Sequence, residues 1–357
     1  MPYSNIEKPS KYFEPVLYTG NNANNRTINT TENFQADLFW IKARSTGASH
    51  ILNDILRSSG YLLSNATSAE GAYSSLSWTN TAPASTGFTI DYGSNGSING
   101  TGTTFVSWCW KANGTGVSNT AGSITSTVSA NTTSGFSIVS YTATSGASSI
   151  GHGLGVAPKM IILKARGQSS GWVTGFSVLG WNKYLEISDT DAVITDRRMF
   201  SPTAGTDPTS TLFWSDQSAI GSAGTMIAYC FAEVKGYSKF GSYTGNGSTD
   251  GTFVYTGFKP AFVMTKSSST GGTYYDWGMM DNKRANPFNV IDAQVCANLS
   301  DQENSANIGS QKIDFLSNGF KPRVNGSSHN GSGVTYIYMA FAENPFCSSK
   351  GIACTAR

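Results

Sequence analysis

The segment FVSWCWKAN, Phe105–Asn113, is written twice more in altered form, as MIAYCFAEV at Met226–Val234 and as YIYMAFAEN at Tyr336–Asn344. A phrase that recurs at intervals of roughly a hundred residues means that one folding unit is built several times, so any fold proposed for the chain must work three times over. The other anchors agree. Each copy opens on Tyr-Thr, at Tyr18, Tyr141 and Tyr243, and continues into an apolar segment that ends in lysine: DLFWIK to Lys42, KMIILK to Lys164 and AFVMTK to Lys266. Further on lie YLLSNATSAE from Tyr61, YLEISDTDAV from Tyr184 and, more loosely, CANLSDQE from Cys296, while Gly-Phe phrases place Phe88 and Phe320 at matching points. The anchors keep one order throughout. The chain therefore divides into three tandem units, residues 12–112, 136–234 and 238–346, with an attachment segment 1–11, a Gly/Ser/Thr/Asn-rich linker 113–135 and a tail 347–357.

Inside a unit the apolar segments are short, rich in Val, Ile, Phe, Tyr, Trp and Thr, and bounded by Gly, Asn, Ser and Asp, which is the pattern of strands joined by turns. HILNDILRSS from His50 has helical spacing, but its counterpart WVTGFSVLGW from Trp172 carries two glycines and β-branched residues, so strand and turn are expected in every copy. In a strand alternate residues share a face. Val106, Trp108 and Trp110 then lie together, as do Ile227, Tyr229 and Phe231, and Ile337, Met339 and Phe341. The opposite faces are nearly as apolar, which predicts a central strand covered by a second sheet or by a neighbouring unit. The expected fold class is all-β: three tandem β-sandwich-like units of jelly-roll or lectin-like kind.

Composition narrows the function. Only 13% of residues are charged and the net charge is +2, with lysines and arginines scattered singly, so neither nucleic acid nor membrane insertion is expected as a partner role. No apolar run approaches the roughly 18 residues of a membrane helix, and no apolar segment follows the N-terminal charges as a secretory signal would. Of the five cysteines, Cys109 and Cys230 sit in the repeated phrase where the third copy has Ala340, so a small buried side chain suffices there. Cys347 and Cys354 are spaced to close a short loop, although assembly in a cytoplasm disfavours a disulfide.

Residues for chemistry are sparse. His50, His152 and His329 fall at unrelated points of the repeat and read as surface or satisfied groups. Asp189, Asp191 and Asp196 read first as a solvated turn, with Ca²⁺ ligation or a glycosidase pair as the alternatives. No catalytic, metal-binding or cofactor-binding residue is expected, and no cofactor. Aromatic residues in segments that differ between copies, Tyr73, Trp78, Trp172, Trp181, Tyr274, Tyr275 and Trp277, either fill cores and interfaces or stack on sugar rings; Trp172, Trp181, Tyr274, Tyr275 and Trp277 are the candidate glycan contacts. Lys42, Lys164 and Lys266 each end a strand, where the stem can be covered and the ammonium left in water.

The phrases DLFWIKARS, HILNDILRS, YLLSNATSAE and FVSWCWKANG of the first copy, with GFKPAFVMTK, DNKRANPFN, FLSNGFK and YIYMAFAENPF of the third, resemble a repeated domain of unknown function found in virion and tail-fibre proteins of marine tailed phages, cyanophages among them. The resemblance covers residues 12–346 and implies a context without catalytic residues. It implies a non-enzymatic virion structural protein, tail-associated as a fibre or appendage and made in the host bacterial cytoplasm. Its partners would be other virion proteins and further copies of itself, a trimer being favoured. A capsid-decoration or head-fibre protein is the alternative within virions; a glycan-binding adsorption module or depolymerase domain is the alternative from another class. The middle copy departs most, since it lacks the Gly-Phe turn before its last strand.

Overall fold

The computed structural model is all-β: among the described residues its regular segments are strands, apart from three short 3-10 segments. It describes residues 4–347 and 353, apart from 58, 80, 94–95, 197–198, 203–205, 217–223, 285–287 and 310. The helix-like HILNDILRSS forms the strand Ile51–Asp54 and a turn.

Each repeat lays down an inner sheet with the same strand order. In the first repeat the opening strand Phe13–Thr19 and the lysine strand Leu38–Ala43 flank the closing strand Thr104–Trp110, and Ile51–Asp54 adds to the lysine strand. The second repeat sets Phe136–Ala143, Gly224–Phe231, Met160–Ala165 and Val173–Phe176 in that order, and the third sets Ser238–Thr244, Thr335–Pro345, Phe258–Ser267 and Gly278–Asp281 likewise. Register repeats as well. Lys42, Lys164 and Lys266 pair with Val106, Ile227 and Ile337, and the opening tyrosines pair with Phe105, Met226 and Tyr336.

An outer sheet covers one side of each inner sheet. It is three-stranded in the first and third repeats, and its middle strand holds the Gly-Phe phrase, Gly87–Ile90 or Gly319–Pro322. The glycine is required because a Cβ there would run into the facing carbonyl of Ile28 or of Val254. Among the described residues the second repeat has a two-stranded outer sheet, Ala147–Gly151 against Leu212–Asp216, with Leu212 and Phe213 in place of the Gly-Phe pair. The opening Tyr-Thr-Gly-Asn has a related use in the first and third repeats. Tyr18 and Tyr243 donate their hydroxyls to Ile98 O and His329 O, and the following asparagines of these loops, Asn99 and Asn330, donate to Asn21 and Asn246.

The two apolar faces of each closing strand go to different cores. Phe105 and Cys109, then Met226, Ala228 and Cys230, then Tyr336, Tyr338 and Ala340 pack inside their own repeats. The opposite faces, Val106/Trp108/Trp110, Ile227/Tyr229/Phe231 and Ile337/Met339/Phe341, all belong to one further core shared by the three repeats. At its centre Trp110, Phe231 and Phe341, which occupy the same register position, meet one another edge-on at centroid distances of 6.4, 6.1 and 5.8 Å. Phe13 stacks on Phe341 at 4.7 Å. The repeats are thus disposed about a pseudo-threefold axis, inner sheets inward and outer sheets outward. Apolar area facing the axis leaves water only because the other two repeats are present.

The segments outside the repeat are structured too. The stretch read as a linker carries the strands Val117–Asn119 and Ser126–Asn131, which extend the second inner sheet at its edge. Ile6 of the segment read as an attachment is buried in the shared core, and a single 3-10 turn, Pro9–Lys11, follows it. Cys347 forms a bridge with Ala353; the Cys347–Cys354 pairing lies outside the described residues, because Cys354 does.

Candidate functional site

The polar groups that recur in the repeat converge on the junctions between repeats. Lys42 Nζ donates to Ser300 O in the third repeat, Lys164 Nζ to Thr67 O in the first, and Lys266 Nζ to Thr190 O and Asp191 O in the second. Each repeat therefore grips the loop of the one before it, and the series closes on itself. The gripped loops are the YLLSNATSAE, YLEISDTDAV and CANLSDQE segments. Backbone bonds repeat the pattern: Ala48 N to Ser300 O, Ser170 N to Thr67 O and Gly272 N to Thr190 O run one way, and Glu303 N to Arg44 O, Glu70 N to Arg166 O and Val193 N to Ser268 O run the other.

This corrects the reading of the lysines. Their heads are not in water; all three side chains are buried, and each ammonium is held by carbonyl oxygens, including those of Ala43, Ser170 and Ser267 beside them. Burial lowers each lysine from its ordinary 10.5 to about 8, with neighbouring carboxylates opposing the shift. An unfolded lysine keeps its proton until about pH 10.5, so between about pH 8 and 10.5 these three groups bind more protons in the unfolded chain than in the folded one and by themselves raise the unfolding free energy with pH, opposed from about pH 9 within that window by the thiols of Cys109, Cys230 and Cys296, which burial raises from their ordinary 9. Above it the buried tyrosines, Tyr229 among them, reverse the trend, since burial raises their hydroxyls and the folded state then holds more protons. The expected result is a melting temperature highest on the alkaline side of neutrality, with lysine ε-methylene resonances titrating near pH 8. Three resonances that all titrate near 10.5 would refute it.

One residue before the strand that follows the lysine strand in each repeat, a ring nitrogen bonds across the same junctions. Trp172 Nε1 donates to Leu63 O and Trp277 Nε1 to Glu186 O, both at 2.8 Å. In the first repeat His50 takes this place: its Nδ1 accepts from Trp40 Nε1, which leaves the proton on Nε2 to donate to Cys296 O at 3.0 Å. His50, His152 and His329 are all buried, so none is a surface group. Trp172 and Trp277 are accordingly corrected from glycan contacts to buried clasps, and Trp181, packed on Phe200 inside the second repeat, is buried as well. Tyr73 and Trp78 are buried in the first repeat, whereas Tyr274 is exposed and Tyr275 half-buried. The aspartates do not converge on an ion site: Asp189 caps Asp191 N, and the loop presents carbonyls to Lys266. Among the described residues no group of three or more His, Cys, Asp or Glu side chains is disposed to hold a metal.

Two of the three junctions carry one more network, which the sequence reading missed. Between the first and second repeats Asp54 and Arg57 pair at 2.6 Å with no exposure, Tyr229 OH donates to Asp54, and Glu70 links Arg57 to Arg166. Between the third and first, Asp281 and Arg284 pair at 2.6 Å, Trp108 Nε1 donates to Asp281, and Glu303 links Arg284 to Arg44. At the remaining junction all of these positions change together, to Phe176, Leu179, Met339, Val193 and Ser268, and the first four pack in the shared core. The available signal was the pair Asp-x-x-Arg, present in NDILR and MDNKR and absent from GFSVL.

These features define a single-chain β protein made of three interlocked repeats. The chain belongs to the DUF7483 family, a domain of unknown function, whose match runs once from residue 8 to residue 345 and so takes in all three repeats as one unit. No curated protein and no solved structure matched the chain.

Proposed function

We propose that the chain is a non-enzymatic structural protein of a phage virion, tail-associated as a fibre or appendage component, made in the bacterial cytoplasm and assembled with other virion proteins. The observation that carries the reading is the pseudo-threefold closure, in which the repeated polar side chains are spent on holding repeats to one another. Threefold symmetry is a recurrent solution for assemblies built of identical units, and here one chain carries three equivalent units. In this reading the three repeats stand where three subunits of a homotrimer would. The few charges and the resemblance of the repeat phrases to tail-fibre proteins support the same context. A capsid-decoration or head-fibre role rests on the same observations and differs only in position.

The test is proteomics and cryo-electron microscopy of intact particles from a phage that encodes this chain, together with the mass of the purified protein. A monomer in solution that appears in the particle as one three-lobed density on a tail structure is the expected result. Density on the capsid would move the assignment to decoration, and absence of the protein from washed particles would overturn the proposal.

A further inference from the structure

At the end of the first repeat, between its inner and outer sheets, lies an open cleft of about 660 Å³. Its floor is apolar, from Ile51, Leu63 and Phe105, and its rim carries hydroxyl groups, among them those of Thr46, Thr101 and Thr103. Two half-buried tyrosine rings complete it, Tyr61 and Tyr92. Both rings depend on glycines. A Cβ on Gly71 would strike the Tyr61 ring, and one on Gly96 would strike the Tyr92 ring, so two positions are kept bare where the rings lie down. Among the described residues no charged residue lines the cleft. A smaller cleft in the third repeat, of about 320 Å³, shares only the counterparts of Tyr92, Gly96 and Ser97, namely Val324, Ser327 and Ser328, and is lined by the cations Lys312 and Arg323. Gly278, the counterpart of Ile51, lies outside that cleft, with the His329 ring and the Gln311 amide against it. The neutral, roomier cleft of the first repeat is thus not reproduced by this third-repeat cleft.

We infer that this cleft is a binding site for a neutral saccharide. Its volume is in the range of small-ligand clefts, and its open lining exposes more polar than apolar surface, with apolar and aromatic groups beneath, which suits a ligand that carries both hydroxyls and an apolar face. A pyranose has an apolar C–H face and an equatorial belt of hydroxyls. The face suits the tyrosine rings, whose negative π-surface attracts polarised C–H groups, and the belt suits the threonine hydroxyls. An anionic sugar or a phosphate would be desolvated there without a countercharge, which is costly. The site is independent of the virion reading: a sugar bound here leaves the position of the protein in or out of a particle open.

Saturation-transfer and chemical-shift NMR on the full-length chain test this, with galactose, glucose, N-acetylglucosamine and their β-linked tetramers as neutral probes and glucuronic and sialic acids as charged ones. A neutral probe is expected to bind and to shift the resonances of Tyr61, Tyr92, Thr101 and Thr103. Tyr92→Ala should weaken it by about tenfold or more, the loss of a ring contact worth roughly 1.4 kcal/mol, whereas Tyr92→Phe, which keeps the ring, should bind within about threefold of the parent chain. Binding of charged probes only, shifts that map elsewhere, equal binding by Tyr92→Ala, or no binding of any neutral probe at tens of millimolar would each overturn the inference.

Discussion

Truncation of Trp110 or Phe341 to alanine is expected to lower the unfolding free energy by roughly 3–5 kcal/mol each, the cost of removing a large aromatic ring from a packed core. Both rings are essentially unexposed and touch each other and Phe231 about the pseudo-threefold axis. The cavity opens where three inner sheets meet, and each sheet is fixed by its own hydrogen-bonded ladder, so collapse around the gap is limited. The double variant should lose less than the sum of the two singles, because the first truncation already removes a contact that the second would break. Denaturant melts followed by tryptophan fluorescence measure both quantities. Variants as stable as the parent would place these rings outside a packed core and undo the shared-core description.

The second large effect is expected at Asp54. Its carboxylate pairs with Arg57 at 2.6 Å with neither side chain exposed, and it accepts the Tyr229 hydroxyl from the second repeat at 2.7 Å. Asp54→Ala leaves a buried guanidinium without its countercharge, and breaking such a pair on one side costs about 3–5 kcal/mol. Replacing the whole group is a different experiment. The triple variant Asp54→Phe, Arg57→Leu, Tyr229→Met copies the apolar set Phe176, Leu179, Met339 that the chain already uses at another junction, and it should return to within about 1–2 kcal/mol of the parent, as substituting well-packed apolar residues for a buried ion pair often does. Glu70 keeps its bond to Arg166 in that variant. A triple variant no more stable than Asp54→Ala would show that the junctions are not interchangeable solutions to one packing problem.

The sequence was most informative where the physical rule is local. Strand periodicity alone puts Trp108 and Trp110 on one face and Cys109 on the other, and the structure keeps that division in all three copies. It was least informative about side chains with two acceptable environments. A lysine at a strand end is consistent with a solvated head, and nothing in DLFWIK, KMIILK or AFVMTK says that a neighbouring repeat will supply carbonyls to it. Trp172 and Trp277 read first as core or interface residues and second as exposed rings, and their role as clasps is visible only once their partners, Leu63 O and Glu186 O, are known. The Asp-x-x-Arg pairs were visible as letters, but their burial depends on Tyr229 and Trp108 arriving from other repeats.

The amino-acid sequence by itself determined an all-β chain, the threefold recurrence of its anchors and the two-sided burial of each closing strand, since alternation, turn residues and repetition act between neighbours along the chain. Only the tertiary structure decided what covers the second face: the inner faces of the three repeats cover one another around Trp110, Phe231 and Phe341, and Lys42, Lys164 and Lys266 lock the ring from repeat to repeat. An apolar face specifies that it must leave water. It does not specify against which surface, because burial is non-directional and proportional to area, and the choice of partner is made by the register and hydrogen-bond geometry of segments about a hundred residues apart in the repeat.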